Sequence, residues 1–248
     1  MIIPGIVSAT FKNLPFERVI AIAAESNLKA IEWSENWHIR ENDTDQAAYI
    51  AALTALNGLK VASFGSYYRL GKGMDFMPRI RVALALGAKV IRIWGGDKPS
   101  SDLSAEEREA LIREAMEIAD KASGYGLSIA LEWHKNTVTD TNESGLSFLE
   151  DVDRPNFKTF WQPTQALSVT ERREGLGKIG KYLSNIHVYY WDATGRRPFA
   201  EGLEDWKGYL SEIDKEKDHY ALLEFVKDDS IEQLKEDAEA FLGLLKEI

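Results

Sequence analysis

The stretch LSIALEWH, residues 127–134, has the composition of a short buried strand that ends in two ionisable side chains. Because side chains alternate between the two faces of a strand, Glu132 and His134 share one face and Trp133 occupies the other. A carboxylate at the end of a buried strand is costly in free energy unless a partner or a ligand uses it. The stretch therefore predicts a functional site at the carboxyl end of this strand.

Three other apolar runs have the same design. They read NFKTFWQ at 156–162, LSNIH at 183–187 and HYALLE at 219–224, and each ends in a side chain that can bind a metal or carry a proton. The carboxyl ends of the strands of a parallel barrel share one face. If these four strands are neighbours in one barrel, Glu132, Gln162, His187 and Glu224 converge on one point.

Strand-like and helix-like segments alternate eight times along the chain. Strands are predicted at residues 5–9, 29–33, 60–64, 90–94, 127–133, 157–162, 185–189 and 220–226, and helices near 15–26, 44–57, 75–86, 105–123, 145–152, 168–183, 205–215 and 230–247. Eight consecutive units favour an α/β fold, a (β/α)8 TIM barrel whose single domain spans residues 1–248. An open doubly wound sheet is the competing architecture, but no G-x-G-x-x-G or phosphate-loop motif follows a strand.

Composition and charge restrict the partners. The formal net charge of −10 repels a phosphate backbone, and the absence of cysteine leaves only oxygen and nitrogen to hold a metal. No apolar run approaches the roughly 20 residues of a membrane span, and the N-terminus reads as a strand rather than a signal peptide. We expect a cytoplasmic protein that acts on a small molecule, with no membrane or nucleic-acid partner. Assembly into a homo-oligomer is left open.

Further polar side chains lie at or just after the ends of the predicted strands. They are Glu32, Arg92, His38, Arg196, Arg197, Lys227 and Asp228. Any one of them has an equally good interpretation as a satisfied polar residue at a strand end. Because active sites of barrels are built at the carboxyl ends of the strands, we take them as candidate site residues.

Six of the seven tryptophans also lie in strands or in the loops that follow them. By parity Trp133 and Trp161 face the helices and belong to the core. Trp94, Trp37 and Trp191 are candidates for stacking on a sugar ring. His219 begins its strand, so a structural role at the opposite end of the barrel is expected.

With these residues in this order, the sequence resembles the xylose-isomerase-like TIM-barrel superfamily of sugar and sugar-phosphate isomerases and epimerases. The resemblance rests on LEWH, WQP, IHV and LLEF, and on the pattern Asp192…Arg196-Arg197…Gly202-Leu-Glu-Asp-Trp206, which is similar to the family's loop that closes over substrate. It implies one divalent cation held by Glu132, Gln162, His187 and Glu224.

Gln162 departs from the family pattern, which has an aspartate at this place. The carbonyl oxygen of glutamine is still a ligand for a hard cation, so the departure weakens the site without abolishing it. Manganese or magnesium is expected, and cobalt or zinc is also compatible with oxygen and imidazole ligands.

The resemblance implies that Glu132 and Glu224 act as acid and base, and that His134 and Arg196 or Arg197 contact substrate. The positions of Trp94, Glu32 and Lys227 at strand ends make them further candidates for substrate contact.

The predicted activity is that of a metal-dependent isomerase or epimerase of a sugar, sugar phosphate or related polyhydroxy ketone. A proton leaves carbon next to a carbonyl, and a cation stabilises the enediolate. A dehydratase of cyclic polyols is the nearest alternative, because the same enediolate can expel a β-hydroxyl. A non-enzymatic sugar-binding barrel with a degenerate metal site is another. An apurinic-site endonuclease shares this fold but resembles a site with many histidine and carboxylate ligands for several zinc ions. It is disfavoured because the chain has only four histidines and a net charge of −10.

Overall fold

A computed structural model describes residues 1–248 and confirms the predicted barrel. Ten strands occur, namely β1 (Ile2–Val7), β2 (Ala30–Ser34), β3 (Lys60–Arg69), β4 (Val90–Trp94), β5 (Ser128–Glu132), β6 (Phe157–Trp161), β7 (Leu183–Val188), β8 (Tyr190–Asp192), β9 (Gly195–Arg197) and β10 (His219–Leu223). Eight of them are parallel and close into a barrel in the order β1-β10-β7-β6-β5-β4-β3-β2. The strands β8 and β9 form a separate antiparallel hairpin that follows β7.

Eight α-helices follow the barrel strands. They are α1 (Phe16–Glu25), α2 (Thr44–Leu56), α3 (Met77–Leu86), α4 (Ala105–Ser123), α5 (Asn142–Val152), α6 (Val169–Ile179), α7 (Leu203–Ser211) and α8 (Ile231–Glu247). The capping box predicted from Ser104 and Glu107 is present at the start of α4. None of the helices has both the length and the apolar character needed to cross a bilayer.

Several element boundaries differ from the prediction for local reasons. Strand β3 runs on to Arg69 because it pairs with β4 again at Trp94 after an irregularity. Helix α5 begins at Asn142 because the side chain of Thr141 accepts a hydrogen bond from the N–H of Ser144 at 3.2 Å. The predicted boundaries therefore missed a bulge and a side-chain cap.

The interior of the barrel and its outer wall follow the predicted parity. Inside, small and apolar side chains from Val7, Ala30, Ala62, Ala130, Phe160 and Leu222 fill one layer. Outside, Trp133 packs so closely on α5 that a Cβ added to Gly145 would lie 2.2 Å from its ring. Trp161 packs on Tyr209 with ring centroids 5.2 Å apart. Both tryptophans therefore belong to the core, as predicted.

Candidate active site

Five ionisable side chains meet at the carboxyl ends of the barrel strands. They are Glu32 from β2, Arg92 from β4, Glu132 from β5, His187 from β7 and Glu224 just after β10. All five are buried, and the most accessible, Glu224, is 8% exposed. Buried charges require partners, so the contacts among the five decide how the site can work.

Arg92 joins two of the carboxylates. Its Nε lies 2.9 Å from Oε1 of Glu32, and its Nη1 donates to Oε2 of Glu132. The hydroxyl of Ser63 donates to the other oxygen of Glu32 at 2.8 Å. Burial opposes ionisation of Glu32, but Arg92 and His187 outweigh it and lower the pKa of Glu32 to about 2. Gly65 leaves room for this pair, since a Cβ there would lie 2.6 Å from Oε1 of Glu32.

His187 lies between carboxylates on both sides of its ring. Its Nε2 is 3.5 Å from Glu32, and its Nδ1 is 3.3 Å from Oε2 of Glu224 and 3.9 Å from Oε1 of Glu132. Burial alone would lower the pKa of His187, but Glu224 and Glu32 raise it to about 9. Burial raises the pKa of Glu224 to about 7 against the attraction of His187, and Glu132 adds to the rise. The site therefore takes up protons to balance its carboxylates.

Gln162 follows β6 and contacts Glu132. Its Nε2 donates to the carbonyl oxygen of Trp133 at 2.8 Å and to Oε1 of Glu132 at 3.2 Å. Both partners are acceptors, so the N–H2 group and not the amide oxygen must face them. Gln162 thus positions Glu132 by donating to it.

A cavity of about 260 Å³ opens above this cluster. Arg92, Glu132, Gln162 and Glu224 form part of its floor, so four of the strand-end residues meet at one accessible point. Its volume suits a small polar metabolite rather than a large ligand.

The walls of the cavity are largely aromatic. The ring of His134 packs on Trp94 at 4.6 Å between centroids, as expected from its parity with Glu132. Trp191 and Phe225 form another side, with centroids 5.5 Å apart. Flat apolar faces next to hydrogen-bonding groups are typical of sites for sugars and rings.

The family model of the xylose isomerase-like TIM barrel matches residues 20–247, which include every barrel strand except β1. The chain belongs to this family. Membership in the xylose isomerase-like family confirms the resemblance that the strand-end motifs carry. A fold of this kind hosts many reactions, so the chemistry has to be argued from the site.

Two kinds of xylose isomerase-like enzyme are among the similar proteins. A 3-dehydroshikimate dehydratase of Bacillus anthracis is 25% identical over 252 residues, which cover 88% of each chain. The crystal structure of a probable 3-DHS dehydratase from Bacillus anthracis superposes with a TM-score of 0.82 at 18% identity, covering 98% of this chain and 99% of that one. D-psicose 3-epimerase from Clostridium cellulolyticum H10 superposes with a TM-score of 0.70 at 17% identity, covering 99% and 98%.

Several predicted substrate residues do not line the cavity of this xylose isomerase-like barrel. Arg196 pairs with Asp229 at 2.5 Å, and Arg197 pairs with Glu201 at 2.6 Å on the surface. Lys227 is exposed beyond β10, and Glu32 is sealed beneath Arg92 with no exposure. The structure therefore brings His134 and Trp94 to the cavity wall, leaves Arg196, Arg197 and Lys227 outside the site, and holds Glu32 within the buried cluster beneath the cavity.

Other aromatic and histidine candidates are also displaced from the cavity. Trp37 is 43% exposed at the rim, where its Nε1 donates to the hydroxyl of Tyr67 at 2.6 Å. His38 is buried, with Nε2 3.1 Å from the carbonyl oxygen of Leu14. His219 lies at the opposite end of the barrel, as expected.

Eight residues that line the cavity were not predicted from the sequence, namely Ala9, Lys12, Tyr67, Lys135, Thr164, Gln165, Tyr189 and Phe225. Lys12 and Lys135 supply positive charge to the walls, and Tyr189 and Phe225 supply aromatic surface. Lys135 directly follows His134, and Phe225 directly follows Glu224, so adjacency to predicted site residues was the available signal. Phe225 has φ of 58°, a conformation that bulky residues rarely adopt, and such strain concentrates at functional sites.

The donor atoms at the cavity floor were tested against the divalent cation that the family implies. No group of three or more His, Asp or Glu side chains has the spacing of a preformed metal site. However, Nδ1 of His187 and Oε2 of Glu224 are both buried without a hydrogen-bond partner and lie 3.3 Å apart. Two ligand atoms that each lie about 2.0–2.6 Å from one cation are about 3–4 Å from each other, and the distance between these two atoms falls in that range. These two atoms fit a cation. Glu132 lies 3.9 Å from Nδ1 of His187 but already accepts a hydrogen bond at each oxygen, and Gln162 would offer an oxygen only if its amide turned over.

Proposed function

We propose that this chain is an enzyme that removes a proton from carbon next to a carbonyl group and returns it, as an isomerase or epimerase of a sugar, sugar phosphate or related polyhydroxy ketone. The observation that carries the proposal is the presence of two glutamates, Glu132 and Glu224, at the floor of one small cavity. Removing a proton from carbon and returning it requires acid–base side chains positioned within reach of that carbon.

The two glutamates are held differently, which suits different roles. Glu132 accepts hydrogen bonds from Arg92 and Gln162, so its carboxylate has a fixed position. Without a bound cation, Glu224 has one oxygen with no hydrogen-bond partner, and burial raises its pKa to about 7. A carboxyl group with such a pKa both accepts and donates a proton near neutrality.

His187, Glu224 and Glu132 are the residues that would hold a divalent cation, with Gln162 as a fourth ligand after its amide turns. When bound, the cation supplies positive charge where negative charge develops on substrate oxygens. Oxygen and imidazole donors suit manganese or magnesium first, and cobalt or zinc also.

The cavity walls would orient the substrate. Trp191 offers a flat face to the apolar side of a sugar, and His134 offers a hydrogen bond. Contact of substrate with Trp94 stays a prediction, because Arg69 at 4.2 Å and His134 at 4.6 Å already pack on its ring. Lys12 and Lys135 would meet a substrate carboxylate or phosphate. Contacts from Arg196, Arg197, Lys227 and Glu32 stay predictions, and the first three require movement of the loops that carry them.

Dehydration is the second candidate function, favoured by the identity to a 3-dehydroshikimate dehydratase along 88% of this chain. The same proton removal from carbon starts both reactions. A substrate with a hydroxyl on the next carbon then loses it as water, and a double bond forms. Glu132 and Glu224 would serve here as base for the carbon proton and acid for the leaving hydroxyl.

Incubation of the protein with a panel of ketoses, ketose phosphates and cyclic keto-polyols, with manganese in heavy water, tests the proposal. We expect deuterium at the carbon next to the carbonyl by NMR. A new stereoisomer or aldose identifies the isomerase or epimerase, and an unsaturated product identifies the dehydratase. Absence of exchange and of product across the panel would favour a non-enzymatic sugar-binding barrel.

The role of Gln162 gives a separate prediction. Gln162→Asp should raise manganese affinity by about tenfold or more, because it places a third carboxylate beside the cation. Gln162→Asn, which shortens the side chain equally without adding charge, is the matched control. Calorimetric titration of manganese into the three proteins measures the effect. Equal or weaker binding by the aspartate variant would show that Gln162 acts only as a donor to Glu132.

A further inference from the structure

A second cavity lies at the opposite end of the barrel, at the amino ends of the strands, and has a volume of about 300 Å³. Lys158, Asn185 and Tyr220 line it. Each of them precedes by two positions a residue that points into the barrel, namely Phe160, His187 or Leu222. By parity these three also point into the barrel. The layer that contains Phe160 and Leu222 separates this cavity from the active site.

Asn185 presents an unpaired donor to this cavity. It is 3% exposed, and its Oδ1 accepts a hydrogen bond from the N–H of Tyr220 at 3.1 Å. That contact fixes the orientation of the amide, and the Nδ2 group is left buried with no partner. A buried donor without an acceptor is unfavourable unless a ligand or ordered water meets it.

Three lysines line the cavity around this donor, and one of them, Lys217, pairs with a carboxylate, that of Asp214 at 3.3 Å. Lys158 is half-buried, pairs with no carboxylate, and has a pKa lowered by burial and by Lys217. Lys89 also lines the cavity. Its one acidic lining residue, Asp218, is exposed and pairs with the N-terminal ammonium of Met1 at 3.4 Å.

His219 adds a second buried atom without a partner at the same cavity. Its Nδ1 lies 2.8 Å from the carbonyl oxygen of Ser184, so Nδ1 must carry the proton and donate it. The other ring nitrogen, Nε2, is buried and unpaired. Nε2 of the neutral ring is an acceptor and supplies no donor to an anion. Asn185 is thus the buried donor, and Lys89, Lys158 and Lys217 are the cations, that line this space in a chain whose net charge is −10.

We propose that this cavity binds a small oxyanion, a phosphate or carboxylate group, between Lys158 and Asn185. The ammonium group supplies charge and the amide supplies a directed hydrogen bond, the combination that oxyanion sites use. The site is distinct from the proposed active site and does not depend on its chemistry. It offers a small anionic metabolite a place to bind and stabilise the fold.

The test uses the full-length protein and the side-chain N–H2 resonance of Asn185 in proton–nitrogen NMR spectra. Inorganic phosphate and acetate are titrated separately at ionic strength held constant with sodium chloride. We expect a saturable shift, with the tighter of the two anions identifying the ligand as phosphate or carboxylate. Shifts that are absent, or that follow sodium chloride alone, would overturn the proposal.

Two variants show whether the proposed residues bind the anion. Lys158→Met removes the charge, and Asn185→Asp keeps the acceptor for Tyr220 but replaces the donor by a carboxylate that repels an anion. Binding measured by calorimetry should weaken at least tenfold in each, whereas Lys246→Met on the exposed side of α8 should bind as wild type. Manganese binding at the other end should stay unchanged in Lys158→Met. Unchanged anion affinity in both variants would contradict the assignment.

Discussion

Replacing Arg92 by methionine is expected to lower the free energy of unfolding by about 3–5 kcal/mol, because two buried carboxylates lose their shared cation. Glu32 has no exposure, and Arg92 contacts it and Glu132 at once. Arg92→Lys should lower the free energy of unfolding less than Arg92→Met does. Lysine keeps the positive charge, but its ammonium group cannot form the paired hydrogen bonds of a guanidinium with Glu32 and Glu132. Urea or thermal unfolding measures the change.

The matched control is Arg113→Met on α4. Arg113 pairs with Glu109 at 3.2 Å, but both side chains are more than half exposed. An exposed pair contributes little, so this substitution should barely change stability. A similar effect of both substitutions would contradict a structural role for the buried ion pair.

The loss of unfolding free energy caused by Arg92→Met should become smaller as the pH falls. In the wild type the pKa of Glu32 is lowered to about 2, so its stabilising contribution is fully present above the ordinary value of about 4.3 and is lost as pH falls toward 2. Without Arg92, burial is opposed only by His187 and Ser63, so the pKa of Glu32 rises. Its carboxylate is then protonated at a higher pH, and the destabilisation of the variant becomes smaller on acidification. The stability difference between the two proteins should therefore narrow from pH 7 to pH 4.5. A constant difference would show that Glu32 does not carry the effect.

The barrel and the convergence of its strand ends were predictable because both depend on short-range patterns. The alternation of strand side chains was enough to turn Glu132 and His134 toward one cavity and Trp133 toward the helices. The shared face of the strand ends in a parallel barrel predicted that His187 and Glu224 converge, and they lie 3.3 Å apart. Such predictions need only the residue order and a parallel barrel.

The hydrogen-bond and ion-pair partners of the individual side chains were not predictable, because they depend on contacts between segments that are distant in sequence. Arg92 contacts Glu32 and Glu132 from positions 60 and 40 residues away in sequence. Arg196 pairs with Asp229 and packs behind the cavity wall, over the rings of Trp191 and Phe225, although its motif resembles a substrate loop. Gln162 donates to the carbonyl oxygen of Trp133, a backbone acceptor that no side-chain pattern records. The orientation of a terminal polar group is thus decided by the assembled structure.

Replacing Glu224 by glutamine is expected to reduce turnover by about 10²–10⁴-fold, the usual contribution of one acid–base group. Its unpaired oxygen and raised pKa of about 7 make it the group at the cavity floor that is ready to exchange a proton. Glutamine has the same shape but cannot exchange a proton near neutrality. Glu132→Gln should lose turnover as well, together with stability, because Arg92 loses a carboxylate partner. Deuterium incorporation into substrate and product formation measure both variants, with Glu109→Gln on the surface of α4 as the control.

Loss of the cation must be distinguished from loss of proton transfer, since Glu224 is proposed to serve both. Manganese affinity of Glu224→Gln is measured by calorimetry, and turnover is then assayed with the cation at saturation. If saturating manganese leaves turnover depressed by 10²-fold or more, the carboxyl group itself moves the proton. If saturating manganese restores turnover, Glu224 only holds the cation, and Glu132 with a substrate hydroxyl or water must carry the proton transfer.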